Sequence, residues 1–121
     1  MPTHESEQKA EFYFMKQEVM KLIDKSVSAG PVELAQIAVE LSSYYFTFAE
    51  KLKDIAVFKA DQWMKLRADQ KSDNSTDRKW DSTNEGKTEI ELRSTLKGLE
   101  KHISNIKMRL KIEETASFGK F

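Results

Sequence analysis

Cysteine is absent from this chain of 121 residues. The absence excludes disulfide bonds, thiol catalysis and zinc sites built on thiolates, and it is typical of proteins in a reducing compartment. Only two histidines are present, His4 and His102, and neither has a second histidine or a carboxylate at an evident metal-ligand spacing. We therefore expect neither a metal ion nor a cofactor.

Long apolar runs are also missing. No stretch approaches the roughly 20 apolar residues that a membrane-spanning helix needs, and the acidic residues 1–10 lack the apolar core of a signal peptide. We expect a soluble protein with no membrane partner. Its expected location is the cytoplasm, which would be the host-cell cytoplasm if the chain is phage-encoded.

Helix-breaking residues are scarce, with four glycines and two prolines. Gly30-Pro31 is the first break, since glycine commonly follows the end of a helix and proline commonly begins one. On both sides of it, apolar residues recur at spacings of three and four, as on one face of an amphipathic helix. We predict an all-α fold with one helix over about 5–28 and a long second helix over about 32–69.

A polar cluster separates the second predicted helix from a third. Residues 71–86 are rich in Ser, Asp and Asn, which predicts a loop with a short helical turn. After Lys87, apolar residues alternate spacings of four and three, as in a coiled-coil heptad. This oligomer or hairpin seam consists of Leu92, Leu96, Leu99, Ile103, Ile106 and Leu110.

The predicted architecture has two parts. Residues 1–30 form an amino-terminal amphipathic helix, and residues 31–121 form a long antiparallel helical hairpin with its polar loop at about 71–86. About three heptads are too few to distinguish pairing within a chain from pairing between chains, and we favour the third helix folding back on the second. An extended helical chain of this size leaves apolar surface uncovered, so we also expect a homo-oligomer.

The charges are balanced in number but separated along the chain. Residues 1–50 carry four basic and eight acidic side chains, a net charge of −4, and residues 51–121 carry sixteen and twelve, a net charge of +4. The most basic segment is 93–111, where six basic residues face one acidic residue. Such a segment suits a polyanion, although lysines also commonly decorate the solvent face of a helix.

No catalytic signature is present. Gly86-Lys87-Thr88 matches the end of a phosphate-binding loop, but the glycine that the motif requires five residues earlier is Asp81. The carboxylates show no pairing that would support general acid–base chemistry. We expect the protein not to be an enzyme.

Trp63 and Trp80 flank the polar residues 72–77 and are interleaved with basic residues. Cations that neutralise phosphates and an indole that stacks on an unpaired base together suit single-stranded nucleic acid. The alternative is that each tryptophan closes the end of the hairpin core. The sequence leaves both interpretations open.

The order of these features resembles that of a known family. An aromatic-rich helix start at 41–48 continues to Lys71-Ser72, and a polar loop and a basic closing helix, with Ile103, Lys107 and Arg109, follow. This layout over residues 40–118 resembles the small phage recombination mediators of the UvsY type. The resemblance is one of layout, without a diagnostic motif.

The resemblance implies a helical homo-oligomer that binds single-stranded DNA. Such a protein helps to load a recombinase or annealing protein against single-strand-binding protein. The implied DNA-binding residues are Lys65, Arg67, Lys71, Arg78, Lys79, Lys97, Lys101, Lys107 and Lys111, and the pattern of aromatic and basic residues adds Trp63 and Trp80. Two other functions stay open: a small helical phage protein that inhibits a host protein or defence complex, and a structural coiled-coil adaptor.

Overall fold

Four helices make up the part of the chain that the structure describes, namely the backbone of residues 4–118 and the side chains of residues 9–116 of a computed structural model. They are α1 (His4–Ser26), α2 (Pro31–Ala68), α3 (Asp73–Ser82) and α4 (Asn84–Phe118). Over these residues there is no strand, so the predicted all-α class is confirmed. None of these helices has the length and apolar character needed to cross a membrane.

The first break lies where the sequence predicts it. Helix α2 begins at Pro31, and the backbone N–H of Leu34 donates to the carbonyl of Gly30 at 2.9 Å. Proline suits the first helical position because its missing N–H would have no partner inside the helix. The first two helices therefore match the predicted ranges to within two residues at each end.

The second break differs from the prediction. Most of the expected polar loop at 71–86 is the ten-residue helix α3. Ser72 caps this helix, since its hydroxyl accepts from the backbone N–H of Ser75 at 3.2 Å while the Ser75 side chain reaches back to the Ser72 N–H at 3.3 Å. This reciprocal capping box satisfies donors that would otherwise oppose a helix start. The same Ser and Asp residues that favour turns thus begin a helix here.

The chain forms two compact units. The first unit comprises Met1–Tyr45 and Gly98–Phe121, and the second comprises Phe46–Lys97. Each unit has its own buried side chains. Those of the first unit include Phe12, Val19, Leu34, Leu41, Leu99, Ile103 and Ile106, and those of the second include Phe48, Trp80 and Leu92.

The predicted seam is covered inside the single chain. Leu92, Leu99, Ile103 and Ile106 are buried, and the remaining two seam positions are partly buried. Burying such a side chain contributes about 1.5–3 kcal/mol, so these contacts stabilise the fold of one subunit. The seam is therefore not free to pair with a second copy, and any self-association must use another surface.

Candidate nucleic-acid interface

Trp80 lies in the core of the second unit. Only 1% of its surface is exposed, and its indole N–H donates to Oε1 of Glu89 at 3.3 Å. The ring of Phe58 lies 6.2 Å from the Trp80 ring, and the Lys59 ammonium lies 5.7 Å above it. A buried ring cannot stack on a DNA base, so the prediction that Trp80 contacts DNA is wrong, and the alternative role in the core is correct.

Trp63 is different because it is only partly buried. Its indole N–H donates to Oδ1 of Asp77 at 2.8 Å, which ties α2 to α3. The hydrogen bond fixes the ring while leaving part of it accessible. Of the two tryptophans, Trp63 alone keeps surface on which an aromatic ligand can pack.

The basic residues nearest to α3 are largely engaged with protein groups. Arg67 donates to Asp73 at 2.8 Å and to the carbonyl of Gln70 at 2.7 Å, so its guanidinium holds the connection between α2 and α3. Lys65 forms a longer exposed ion pair with Asp61 at 3.8 Å, an arrangement worth little in water. The guanidinium of Arg67 is thus the least available of the predicted phosphate ligands.

The other predicted cations of this region are exposed, but they are surrounded by negative charge. Arg78 and Lys79 lie on α3 together with three aspartates, which gives the helix a net charge of −1. Lys71 precedes the helix and is exposed. A polyanion gains little long-range attraction from a helix of that charge, so α3 is a poor centre for a DNA site.

The carboxyl-terminal part of α4 has the stronger positive charge. Residues 101–112 contain four basic side chains and no acidic one. Lys101, Lys107 and Lys111 are exposed, and none of them forms a salt bridge to another described residue. At about 100° per residue they fall within about 120° of the helix circumference, and at 1.5 Å per residue they extend over roughly 15 Å. We call this surface the lysine face.

Two basic residues close to the lysine face in the sequence, Lys97 and Arg109, are not part of it. Arg109 points inward, where its guanidinium donates to the carbonyl of Ser26 at 2.6 Å. That carbonyl is at the carboxyl end of α1, where a cation offsets the helix dipole and satisfies a free acceptor. Lys97 is exposed but belongs to the second unit.

A groove of about 390 Å³ lies in the second unit, between α2 and α4. Ala56 and Ala60 lie one turn apart on α2, and their small side chains leave the space open. The remaining lining residues are Lys59, Trp63, Glu89 and Arg93. The groove therefore combines an aromatic ring, two cations and one carboxylate.

Glu89 is the most unusual residue of the groove because its carboxylate is buried. Its Oε1 accepts from Trp80 at 3.3 Å and from Lys59 at 3.2 Å. Its Oε2 is buried and has no hydrogen-bond partner among the described residues, and the Arg93 guanidinium lies 3.8 Å from it. A buried carboxylate oxygen without a donor is costly. Glu89 was not among the residues predicted from the sequence.

The described residues include no cluster of three or more His, Asp or Glu side chains suited to a metal ion. Comparison of the chain with protein-family models, with curated proteins and with solved structures finds no match. The candidate functional surfaces are therefore the lysine face, the groove and the exposed apolar side chains of α1, among them Tyr13, Phe14 and Met20.

Proposed function

We propose that this protein is not an enzyme but a recombination mediator of the kind found in phages. In this proposal it binds single-stranded DNA and helps to load a recombinase or annealing protein against single-strand-binding protein. The proposal includes the long antiparallel hairpin of α2 with α4 and the homo-oligomer expected from the sequence. It assigns DNA to the lysine face and protein contacts to the apolar surface of α1.

The observation that carries the DNA assignment is the lysine face. Lys101, Lys107 and Lys111 are exposed on one side of α4, with no acidic residue between positions 101 and 112. Flexible ammonium groups neutralise phosphates without requiring a fixed geometry, which suits a mobile single strand. One copy offers few contacts, but linked copies along one strand would raise the effective local concentration.

Reversing two charges of the lysine face should weaken DNA binding. We expect Lys107→Glu with Lys111→Glu to reduce affinity for a labelled oligo-dT roughly tenfold at low salt. The slope of log affinity against log salt should become shallower by about 1.4, since each single-strand phosphate contact contributes about 0.7. Fluorescence anisotropy at several salt concentrations measures both quantities.

A matched control changes the charge equally at another place. Lys53→Glu with Lys87→Glu also reverses two exposed lysines, both in the second unit and outside the apolar surface of α1. It should leave the affinity within about twofold, because short-range phosphate contacts are lost only at the true site. Equal weakening by both variants, or no retention of oligo-dT by the wild-type protein at low salt, would contradict the DNA assignment.

Exposed apolar side chains favour a second function, which is binding to another protein. Tyr13 and Met20 on α1 and Val27, the residue after its end, are spaced seven residues apart, and each is more than half exposed. Phe14 is exposed beside them. Such a row is larger than the isolated apolar residues of an ordinary surface, and it is typical of a protein contact. In a mediator this apolar surface would join copies of the chain. In an inhibitor or an adaptor it would bind a different protein.

A charge in this row should disrupt assembly without unfolding the chain. Met20 is 63% exposed, so Met20→Glu should not change the helical circular dichroism. It should shift the sedimenting mass from oligomer to monomer, because an interface that buries the glutamate would have to desolvate its charge. Met108→Glu is the matched control, since Met108 is also 63% exposed but lies on α4. A monomeric wild-type protein would exclude self-association and leave a different partner for α1.

A further inference from the structure

We infer that the groove of the second unit binds one unpaired nucleobase that carries an N–H donor, with cytosine favoured over thymine. This inference rests on the proposed binding of single-stranded DNA and adds a base-reading position to it. The lysine face holds the backbone without regard to sequence, whereas the groove distinguishes bases by hydrogen bonding.

The unpartnered oxygen of Glu89 defines the ligand chemistry. Both partners of the carboxylate, Trp80 and Lys59, bind Oε1, and Oε2 has no donor within hydrogen-bond distance. An ionised carboxylate only accepts hydrogen bonds, so its complement is an N–H or O–H group. The exocyclic amino group of cytosine is such a donor, and carboxylates commonly accept from it.

Arg93 controls access to this oxygen. Its guanidinium lies 3.8 Å from Oε2, too far for a hydrogen bond, and more than half of its side chain is exposed. No other salt bridge among the described residues holds it. When Arg93 turns toward solvent, Oε2 becomes available to a ligand donor and the freed guanidinium can bind a phosphate. A nucleotide supplies both groups at once.

The remaining lining residues suit a base with an attached phosphate. Trp63 offers a partly exposed ring against which a planar base can pack, worth about 1–3 kcal/mol in single-strand complexes. Lys59 and Arg93 outnumber Glu89, which leaves the groove with one net positive charge. Ala56 and Ala60 keep the space free of larger side chains.

Thymine fits this arrangement less well. Its base edge carries two carbonyl acceptors, which would face the carboxylate, and it has a single ring N–H in place of the cytosine amino group. Repulsion between the thymine carbonyl oxygens and the Glu89 carboxylate, together with the loss of one N–H donor, should make the groove bind cytosine more tightly than thymine.

The test compares oligo-dC with oligo-dT of twelve nucleotides at pH 8, using the full-length protein. We expect oligo-dC to bind at least about fivefold more tightly. Ala60→Leu should fill the groove, so that oligo-dC and oligo-dT bind with equal affinity. Ala68→Leu, which adds the same side chain at an exposed position outside the groove, should retain the preference. Both alanines are exposed, so neither change should unfold the chain.

The outcomes separate this inference from the proposed function. Tight binding of both oligonucleotides with equal affinity would overturn the base-reading groove and leave the lysine face intact. A cytosine preference that persists in Ala60→Leu would place the reading position elsewhere and would also overturn the inference. If neither oligonucleotide binds, the proposed DNA function itself fails.

Discussion

Replacing Trp80 by alanine should lower the free energy of unfolding by about 3–5 kcal/mol, the range typical of a fully buried tryptophan. The loss combines the cavity left by the indole with the loss of its hydrogen bond to Glu89, at 3.3 Å. Without that bond, the buried carboxylate keeps only Lys59 as a hydrogen-bond donor. Urea unfolding followed by far-ultraviolet circular dichroism measures the change without depending on tryptophan fluorescence.

Trp63→Ala is the natural comparison because it removes the same side chain from a partly exposed site. Its hydrogen bond to Asp77 is also exposed, so we expect a loss of only about 1 kcal/mol. Any decrease in DNA binding by the Trp80 variant should follow the fraction unfolded, whereas the Trp63 variant should bind less while remaining folded. Similar losses of stability in the two variants would contradict the burial of Trp80.

The helix boundaries that the sequence predicts well have local causes. Gly30 and Pro31 act through their own backbone geometry, and α2 begins at Pro31. The heptad spacing from Leu92 to Leu110 likewise identifies the buried side of α4, since the period of an apolar pattern follows directly from helix geometry. It does not reveal what covers that side, and the cover turns out to lie within the chain.

Helix α3 was harder to predict because its sequence is mostly polar. Only Thr76 and Trp80 are buried on it, spaced four residues apart as on one helix face. Ser72 forms a capping box with a serine at the third helical position, where glutamate or glutamine is the usual partner. A serine pair with one aromatic residue downstream is a weak helix signal among so many turn-forming residues. The packing of Thr76 and Trp80 therefore decides between a loop and a helix.

Glu89 could have been noticed from its position in the heptad. It lies three residues before Leu92 and so continues the alternation of four and three at a place where an apolar residue is expected. A charged residue at such a position is rarely buried unless it is paired. The sequence cannot show that Trp80 and Lys59 supply the pairing, since those contacts depend on how α2 and α3 pack.

The number of basic residues proved a poor guide to the phosphate ligands. Arg67 and Arg109 belong to basic segments, yet each donates to a carbonyl at or just beyond a helix end. Arginine is suited to this because its planar group forms several fixed hydrogen bonds at once. The lysines of α4 have no such partner among the described residues, and for that reason the proposed DNA contacts lie on the lysine face and not at the loop.

Gly86, in the first turn of α4, lies against the backbone of α3. A Cβ atom at this position would lie 1.9 Å from the Trp80 carbonyl oxygen and 2.7 Å from its carbonyl carbon. The same carbonyl accepts from the backbone N–H of Thr83 at 2.9 Å, and the Thr83 hydroxyl accepts from the Gly86 N–H at 3.0 Å. These backbone contacts fix the short connection between α3 and α4, and a methyl group at position 86 could be accommodated only if the backbone shifted.

Gly86→Ala should therefore destabilise the protein by about 1–3 kcal/mol, the range for forcing an extra carbon into packed structure, and by more if the capping contacts of Thr83 are lost. Gly98→Ala is the matched control on the same helix, because nothing lies within 4 Å of the added carbon. There alanine should stabilise the helix by about 1 kcal/mol through its higher helix propensity. Thermal and urea unfolding of the two variants should give shifts of opposite sign. A stabilising Gly86→Ala change would show that α3 and α4 do not approach as closely as described, and with it the placement of Trp80 against Glu89 would have to be revised.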